Sequence, residues 1–161
     1  MPKASTPLTT AAYIRREILV NAVINGALSA LAFTVVFGGL ERVPLWGAGN
    51  WVFDFLPQGF MVALMSTLVP GFLARRKIKA GTLAADGPPS RLPAALFPRA
   101  LMLAAISAVA GASGIALLAF LSGANDLGAS AALLNKIAFG AGLAAIVTPL
   151  GLRAELALAR R

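Results

Sequence analysis

Arg15-Arg16-Glu17 leads directly into ILVNAVINGALSALAFTVVFGGL, residues 18–40, and the whole architecture depends on how this stretch is understood. It carries no charged side chain, and at about 1.5 Å of rise per helical residue it is long enough to cross a hydrocarbon core about 30 Å thick. It is therefore read as the first of four membrane-spanning helices. A rival reading exists. Two arginines ahead of an apolar segment, with Ala30-Leu31-Ala32 resembling a small-residue cleavage site, imitate a secretory or twin-arginine signal. The run continues past that site to Leu40 and three further apolar blocks come after it, which favours a retained helix.

On the N-terminal side, residues 1–13 lack periodicity and read as a flexible cytoplasmic tail. Residues 41–50 form a short connection containing Pro44, Gly47, Gly49 and Asn50, and Trp46 and Trp51 stand where amphipathic rings settle at a membrane interface. Further spans are expected at about 51–73, 100–121 and 131–152. Pro57 and Pro70 fall inside the second, and each removes a backbone donor. Residues 74–98 read as an irregular cytoplasmic linker, with Gly87-Pro88-Pro89-Ser90 at its centre, Asp86 as its one acid, and Pro93 and Pro98 further on. Residues 122–130 read as a polar turn and residues 153–161 as a short basic tail. The expected fold class is all-α: one membrane domain, a four-helix transmembrane bundle arranged as two tandem helical hairpins.

Composition agrees with this solvent. Of 161 residues 58% are hydrophobic and 12% charged, against about 45–50% and 25% in a soluble domain. Cysteine and histidine are both absent, which removes disulfides, thiolate chemistry, and the commonest general base and transition-metal ligand. No nucleophile, base and orienting group can be assembled, so neither an enzyme nor a cofactor or metal site is expected. The net charge of +8 lacks the aromatic interleaving of a nucleic-acid surface. Lys3, Arg15, Arg16, Arg75, Arg76, Lys77, Lys79, Arg91, Arg99, Arg153, Arg160 and Arg161 fall on one side of the expected bundle, and only Arg42 and Lys136 on the other. The positive-inside rule then puts both termini in the cytoplasm, where the basic segments could also meet anionic lipid headgroups.

The two halves read as a degenerate repeat. Arg16 and Phe37 correspond to Arg99 and Phe120 at an offset of 83, and Phe60 and Pro70 to Phe139 and Pro149 at an offset of 79. Halves that each cross the membrane twice share one topology, so an axis along the membrane normal would relate them.

Polar side chains within apolar helices face protein or water, because lipid cannot satisfy them. Glu17, Asn21, Asn25 and Ser29 recur every fourth residue and stack on one side of the first helix; Asp54 and Gln58 form a second ladder entering from the outer end. With Lys136, placed by the repeat at the depth of Asp54 and expected to pair with it, Glu17, Asn21, Asn25, Asp54 and Gln58 make a candidate polar seam. The alternative is structural: amides bonded to neighbouring helices, with Glu17 and Lys136 reaching outward. Ser107 with Gly111, Ala110 with Gly114, and Gly140 with Ala144 have the spacing that lets helices approach closely.

Glu17 invites comparison with the four-span small multidrug transporters, but it stands beside Arg15 and Arg16 at the cytoplasmic edge and lacks surrounding aromatic residues. A different likeness is carried by Val43-Pro44-Leu45-Trp46-Gly47, then Asp54, then the exit from Pro70 to Arg75-Arg76-Lys77. Over residues 17–81 this pattern resembles an uncharacterised family of small four-span bacterial inner-membrane proteins. The resemblance implies the architecture and the bacterial inner membrane as location, and makes Trp46 and Asp54 an outer-face motif or a loop anchor; it implies no activity. Two functions are thus expected: a structural or accessory protein associating with other helices through its Gly/Ala faces, as a homo-oligomer or with a membrane-protein partner, or a small transporter or channel subunit using the polar seam.

Overall fold

The computed structural model describes residues 9–84, 87 and 89–158. Lys3, Asp86, Pro88, Arg160 and Arg161, and with them most of the expected N-terminal tail and the end of the basic tail, lie outside the described residues. Four helices, α1 (Thr10–Phe37), α2 (Phe55–Lys79), α3 (Leu96–Ser122) and α4 (Ala129–Leu158), are joined at one end by two short strands, β1 (Arg42–Pro44) after α1 and β2 (Asp126–Gly128) after α3. Each helix is long and apolar enough to cross a membrane. The chain is an all-α, multi-pass membrane bundle.

The helix ends obey local chemistry. Thr9 caps α1, its side chain accepting from the Ala12 N–H at 3.3 Å, and the helix stops at Gly38. α3 ends on Gly123 at φ 65°, the left-handed conformation that a residue without a Cβ adopts freely. Pro57 sits in the first turn of α2, where its missing N–H has no helical acceptor to lose. Pro70 and Pro149 lie well inside α2 and α4.

The helices outrun the apolar runs that mark them. α1 starts at Thr10 rather than near residue 18, and Tyr13, expected in a flexible tail, is fully buried against Ala74, Leu83, Leu152 and Leu156. α2 continues through Arg75, Arg76, Lys77 and Lys79, α3 begins at Leu96, and α4 extends to Leu158, so only residues 80–95 are left between α2 and α3. Hydropathy locates the part of a helix that faces lipid; capping and packing locate its ends.

The packing order is α1, α4, α2, α3: α1 lies along α4, α4 along α2 and α2 along α3, while α1 barely touches α2 and α3 barely touches α4. The expected tandem hairpins therefore do not pack as hairpins. The first helix of each half lies on the second helix of the other half, and the halves interleave about an axis between α2 and α4. Buried positions make the equivalence explicit. Tyr13, Glu17, Asn21, Asn25 and Ser29 of α1 match Leu96, Ala100, Ala104, Ala108 and Ala112 of α3, at the expected offset of 83. Phe55, Gly59, Ala63 and Thr67 of α2 match Lys136, Gly140, Ala144 and Thr148 of α4 at an offset of 81, which corrects the 79 inferred from Phe60 and Pro70.

The two strands share the same symmetry. They pair antiparallel with Val43 opposite Leu127, and the flanking bonds Leu45 N–H to Asn125 O and Ala129 N–H to Glu41 O, both 2.9 Å, are equivalents of one another. Beneath the ribbon a core of Phe33, Phe37, Val43, Leu45, Trp51 and Phe55 closes this end of the bundle. Large apolar side chains such as Leu19, Val23, Val35, Phe72, Ile106, Val109, Leu117 and Ile146 point outward, as expected of surface solvated by lipid rather than water.

Candidate functional site

The α1 ladder is buried along α4. Asn21 Nδ2 donates to Glu17 O and Asn25 Nδ2 to Asn21 O, each at 2.9 Å, so the two amides bind back onto their own helix and turn their oxygens the other way. Asn25 Nδ2 also reaches Ser66 Oγ of α2 at 3.3 Å. Gly140 makes the close packing possible: a Cβ there would lie 3.0 Å from Asn25 O and against the Ser29 side chain. Gly59 is its equivalent, where a Cβ would lie 3.1 Å from Ser107 O and 3.2 Å from Ala108 Cα of α3. With Asn25 level with Gly140, antiparallel register places Asn21 level with Ala144 and Glu17 level with Thr148.

Gln58 is the junction. Its Nε2 donates to Ser29 Oγ at 2.8 Å and to Lys136 O at 3.1 Å, joining α2 to both α1 and α4. A backbone carbonyl only accepts, so this pair of bonds settles which end of the amide is nitrogen. The Gln58 Oε1 atom is buried and has no hydrogen-bond partner among the described residues.

One turn toward the ribbon, Lys136 Nζ lies 2.6 Å from Asp54 Oδ2 and 3.7 Å from the centre of the Phe55 ring. Trp51 stands edge-on to Phe55 at 4.7 Å and Phe139 at 4.8 Å, holding that ring in place. Lys136 is 1% exposed, so it does not reach outward. Burying an ammonium costs several kcal/mol, and here a carboxylate and a ring face, the latter contributing about 2 kcal/mol when desolvated, offset that cost. Trp51, expected at the interface, is instead a buried wall whose Nε1 donates to Ala132 O at 3.4 Å; Trp46 keeps the outer position and donates to Ala124 O at 3.3 Å.

These groups converge on a crevice of about 350 Å³ between α1 and α2, lined by Asn25, Ser29, Asp54, Gln58 and Lys136 on the polar side and by Leu28, Met61 and Met65 among the apolar residues. Four of the six expected seam residues, Asn25, Asp54, Gln58 and Lys136, are thus brought together, with Ser29 beside them. Glu17 and Asn21 are buried lower on α1 and do not line it. The equivalent crevice between α3 and α4 is built differently. Phe139 occupies the place of Gln58 and packs over Gly111, the counterpart of Leu28, so closely that a Cβ on Gly111 would lie 2.7 Å from Phe139 Cζ.

The small-residue positions divide accordingly. Ser107, Gly111, Gly140 and Ala144 are used within the chain, whereas Gly114 faces outward with open space around it.

A second charged cluster, at the other end, escapes sequence reasoning. Arg99 is fully buried, Glu155 nearly so, and the Glu155 carboxylate is shared between Arg99 and Arg75. Arg99 also donates to Pro93 O at 3.1 Å, so the cluster ties α2, α3, α4 and the linker together. Arg99 and Arg75 read as loop charges and Glu155 as part of a tail. The available signal is Glu155 itself, an acid within a strongly basic end. On the opposite side Arg42 Nε donates to Asp126 Oδ1 at 2.7 Å across the ribbon, and that carboxylate raises the arginine's pKa above its ordinary value. Compared with protein-family models, with curated proteins and with solved structures, the chain matches none.

Proposed function

We propose that this chain is a small membrane carrier subunit whose α1–α2 crevice takes up an amphipathic molecule directly from the bilayer. The observation supporting this reading is the asymmetry of the two crevices: between α3 and α4 Phe139 packs over Gly111 and a space of about 180 Å³ is left, with Ser122 and Asn135 as its polar lining, while between α1 and α2 about 350 Å³ stays open, lined by Asn25, Ser29, Asp54, Gln58 and Lys136. Ionisable and strongly polar side chains within a membrane are costly to place and mark a functional site by default. The chain sits in the bacterial inner membrane with both termini cytoplasmic, a reading supported by the charge difference between the two ends and by the likeness to small four-span inner-membrane proteins.

The test copies the packing of Phe139 over Gly111. Gln58→Phe with Leu28→Gly reproduces in the first crevice the pair found in the second. Native mass spectrometry of the protein purified in mild detergent should show a small amphiphile retained by the natural chain and lost from the double variant, with the melting temperature kept. Equal retention by both proteins rejects the crevice as the site.

The association reading retains one observation in its favour, the outward-facing Ala110 and Gly114 on α3. If α3 is the contact with another helix, Gly114→Leu abolishes a cross-linked complex; undiminished cross-linking removes this face.

A further inference from the structure

At the end of the bundle opposite the ribbon, a groove of about 690 Å³ opens between the start of α1 and the end of α4. Ile14, Arg15 and Ile18 form its α1 wall, Arg153 and Leu156 its α4 wall, and the linker closes over it at Ala84 and Gly87. That cover is fastened on both sides. Thr10 Oγ1 donates to Ala84 O at 3.4 Å, Leu83 is buried with Tyr13, Leu152 and Leu156, and a Cβ on Gly87 would stand 3.0 Å from Arg153 O of α4. The uncharged run of α1 begins at Ile18, so Arg15 stands within one turn of the hydrocarbon and the groove straddles the level of the lipid head groups.

Both arginines are exposed, and among the described residues neither is joined to a carboxylate. The acids closest to them in sequence are placed elsewhere: Glu155 is held by Arg99 and Arg75, and Glu17 lies on the buried face of α1 with Tyr13 and Asn21. Packing does not call for these arginines either. At the equivalent place between α3 and α2 stand Pro98 and Phe72, both exposed. Two guanidinium groups above the apolar side chains of Ile14, Ile18 and Leu156 match a phosphate joined to a hydrocarbon chain, because a guanidinium fork binds phosphate oxygens through paired, charge-assisted hydrogen bonds.

We propose that this groove is a specific site for one anionic phospholipid, its phosphate held between Arg15 and Arg153 and an acyl chain lying along Ile14 and Ile18. The site shares no lining residue with the α1–α2 crevice, and neither reading depends on the other.

The test titrates phosphatidylglycerol and phosphatidylcholine with identical chains against the full chain in mild detergent, counting bound lipids by native mass spectrometry. One phosphatidylglycerol should bind first, about tenfold more tightly than phosphatidylcholine, whose own cation meets the two arginines. Arg15→Gln with Arg153→Gln should weaken it about thirtyfold, about fivefold for each charge removed. Arg76→Gln with Lys79→Gln removes as many exposed charges from the same end without touching the groove, and should leave binding nearly unchanged. Equal loss in the two double variants overturns the site in favour of general attraction to basic charge, and equal binding of the two lipids overturns the charge argument. Glycerol phosphate carries the phosphate without the chains; if it displaces the lipid at matching concentration, the ligand is a free phosphate ester and the lipid assignment falls. Asp86 of the same linker lies outside the described residues. Binding that appears only with Asp86→Asn would make that carboxylate, and not a lipid, the partner of the arginines. The comparison of the two lipids uses the natural protein alone, so it decides the charge argument even if a variant does not fold.

Discussion

Glu17, Asn21, Asn25 and Ser29 on α1 occupy the same places as Ala100, Ala104, Ala108 and Ala112 on α3. Both ladders are buried, both lie along a helix of the opposite half, and both are met by a glycine at the point of closest approach, Gly140 or Gly59. The backbone geometry is shared and the side-chain chemistry is not. The alanine ladder shows what the interface needs for packing alone: small residues and nothing polar. The amides on α1 therefore exceed what the interface requires. The same contrast recurs at the ribbon end of the axis, where Phe55 and Lys136 are equivalents in contact with one another, one a ring and the other the cation resting on it.

Removing the ion pair disturbs this relation most. Asp54→Asn strands the buried Lys136 ammonium and should cost about 3–5 kcal/mol, measured as loss of thermal stability in detergent. Adding Lys136→Met to that variant should restore most of the loss. A double variant no more stable than the single one would mean that Asp54 matters for a reason other than Lys136.

Next come the two glycines. Gly140→Leu and Gly59→Leu should each destabilise by about 1–3 kcal/mol or more, because the neighbouring backbone cannot retreat. Gly114→Leu should leave unfolding unchanged. Unequal effects at Gly140 and Gly59 would weaken the equivalence of the two interfaces.

A smaller effect is expected from exchanging the ladders. Asn25→Ala makes α1 resemble α3 and should lose only about 0.6–2 kcal/mol, the range for hydrogen bonds between membrane helices. The same variant should also retain less of the amphiphile in mild detergent if Asn25 serves the crevice, and as much as the natural chain if it serves packing alone. The smallest effect belongs to the ribbon: Arg42→Ala removes an exposed ion pair and should shift the melting temperature too little to resolve.

Much of this molecule is legible without coordinates, for identifiable reasons. Blocks of apolar residues long enough to span a bilayer mark four helices, because lipid accepts few other backbone structures. The four-residue spacing of Glu17, Asn21, Asn25 and Ser29 marks one buried face, because helical geometry stacks such positions. Asp54 and Lys136 can be placed at one depth from the repeat alone. The register of the second pair of helices misreads as 79 because Pro70 and Pro149 attract attention as landmarks, whereas the buried face shows Thr67 and Thr148 as the matching residues. Tyr13, Arg99 and Glu155 read as water-facing, since charge and low hydropathy resemble a loop until a partner is seen.

Residue order is enough to establish four helical crossings of a membrane, which end of the bundle is basic, and which side chains need protein around them. These are properties of single segments in a known solvent. Only the packed bundle reveals that α1 lies on α4 rather than on α2, that the two loops pair as a ribbon, that Glu155 is held between two arginines, and that Phe139 packs over Gly111 where Gln58 leaves a crevice beside Leu28. The physical reason is that apolar helices are nearly equivalent partners in lipid. Which two pack is settled by where a glycine, an amide or a buried charge meets its complement, and that meeting exists only once all four helices are in place.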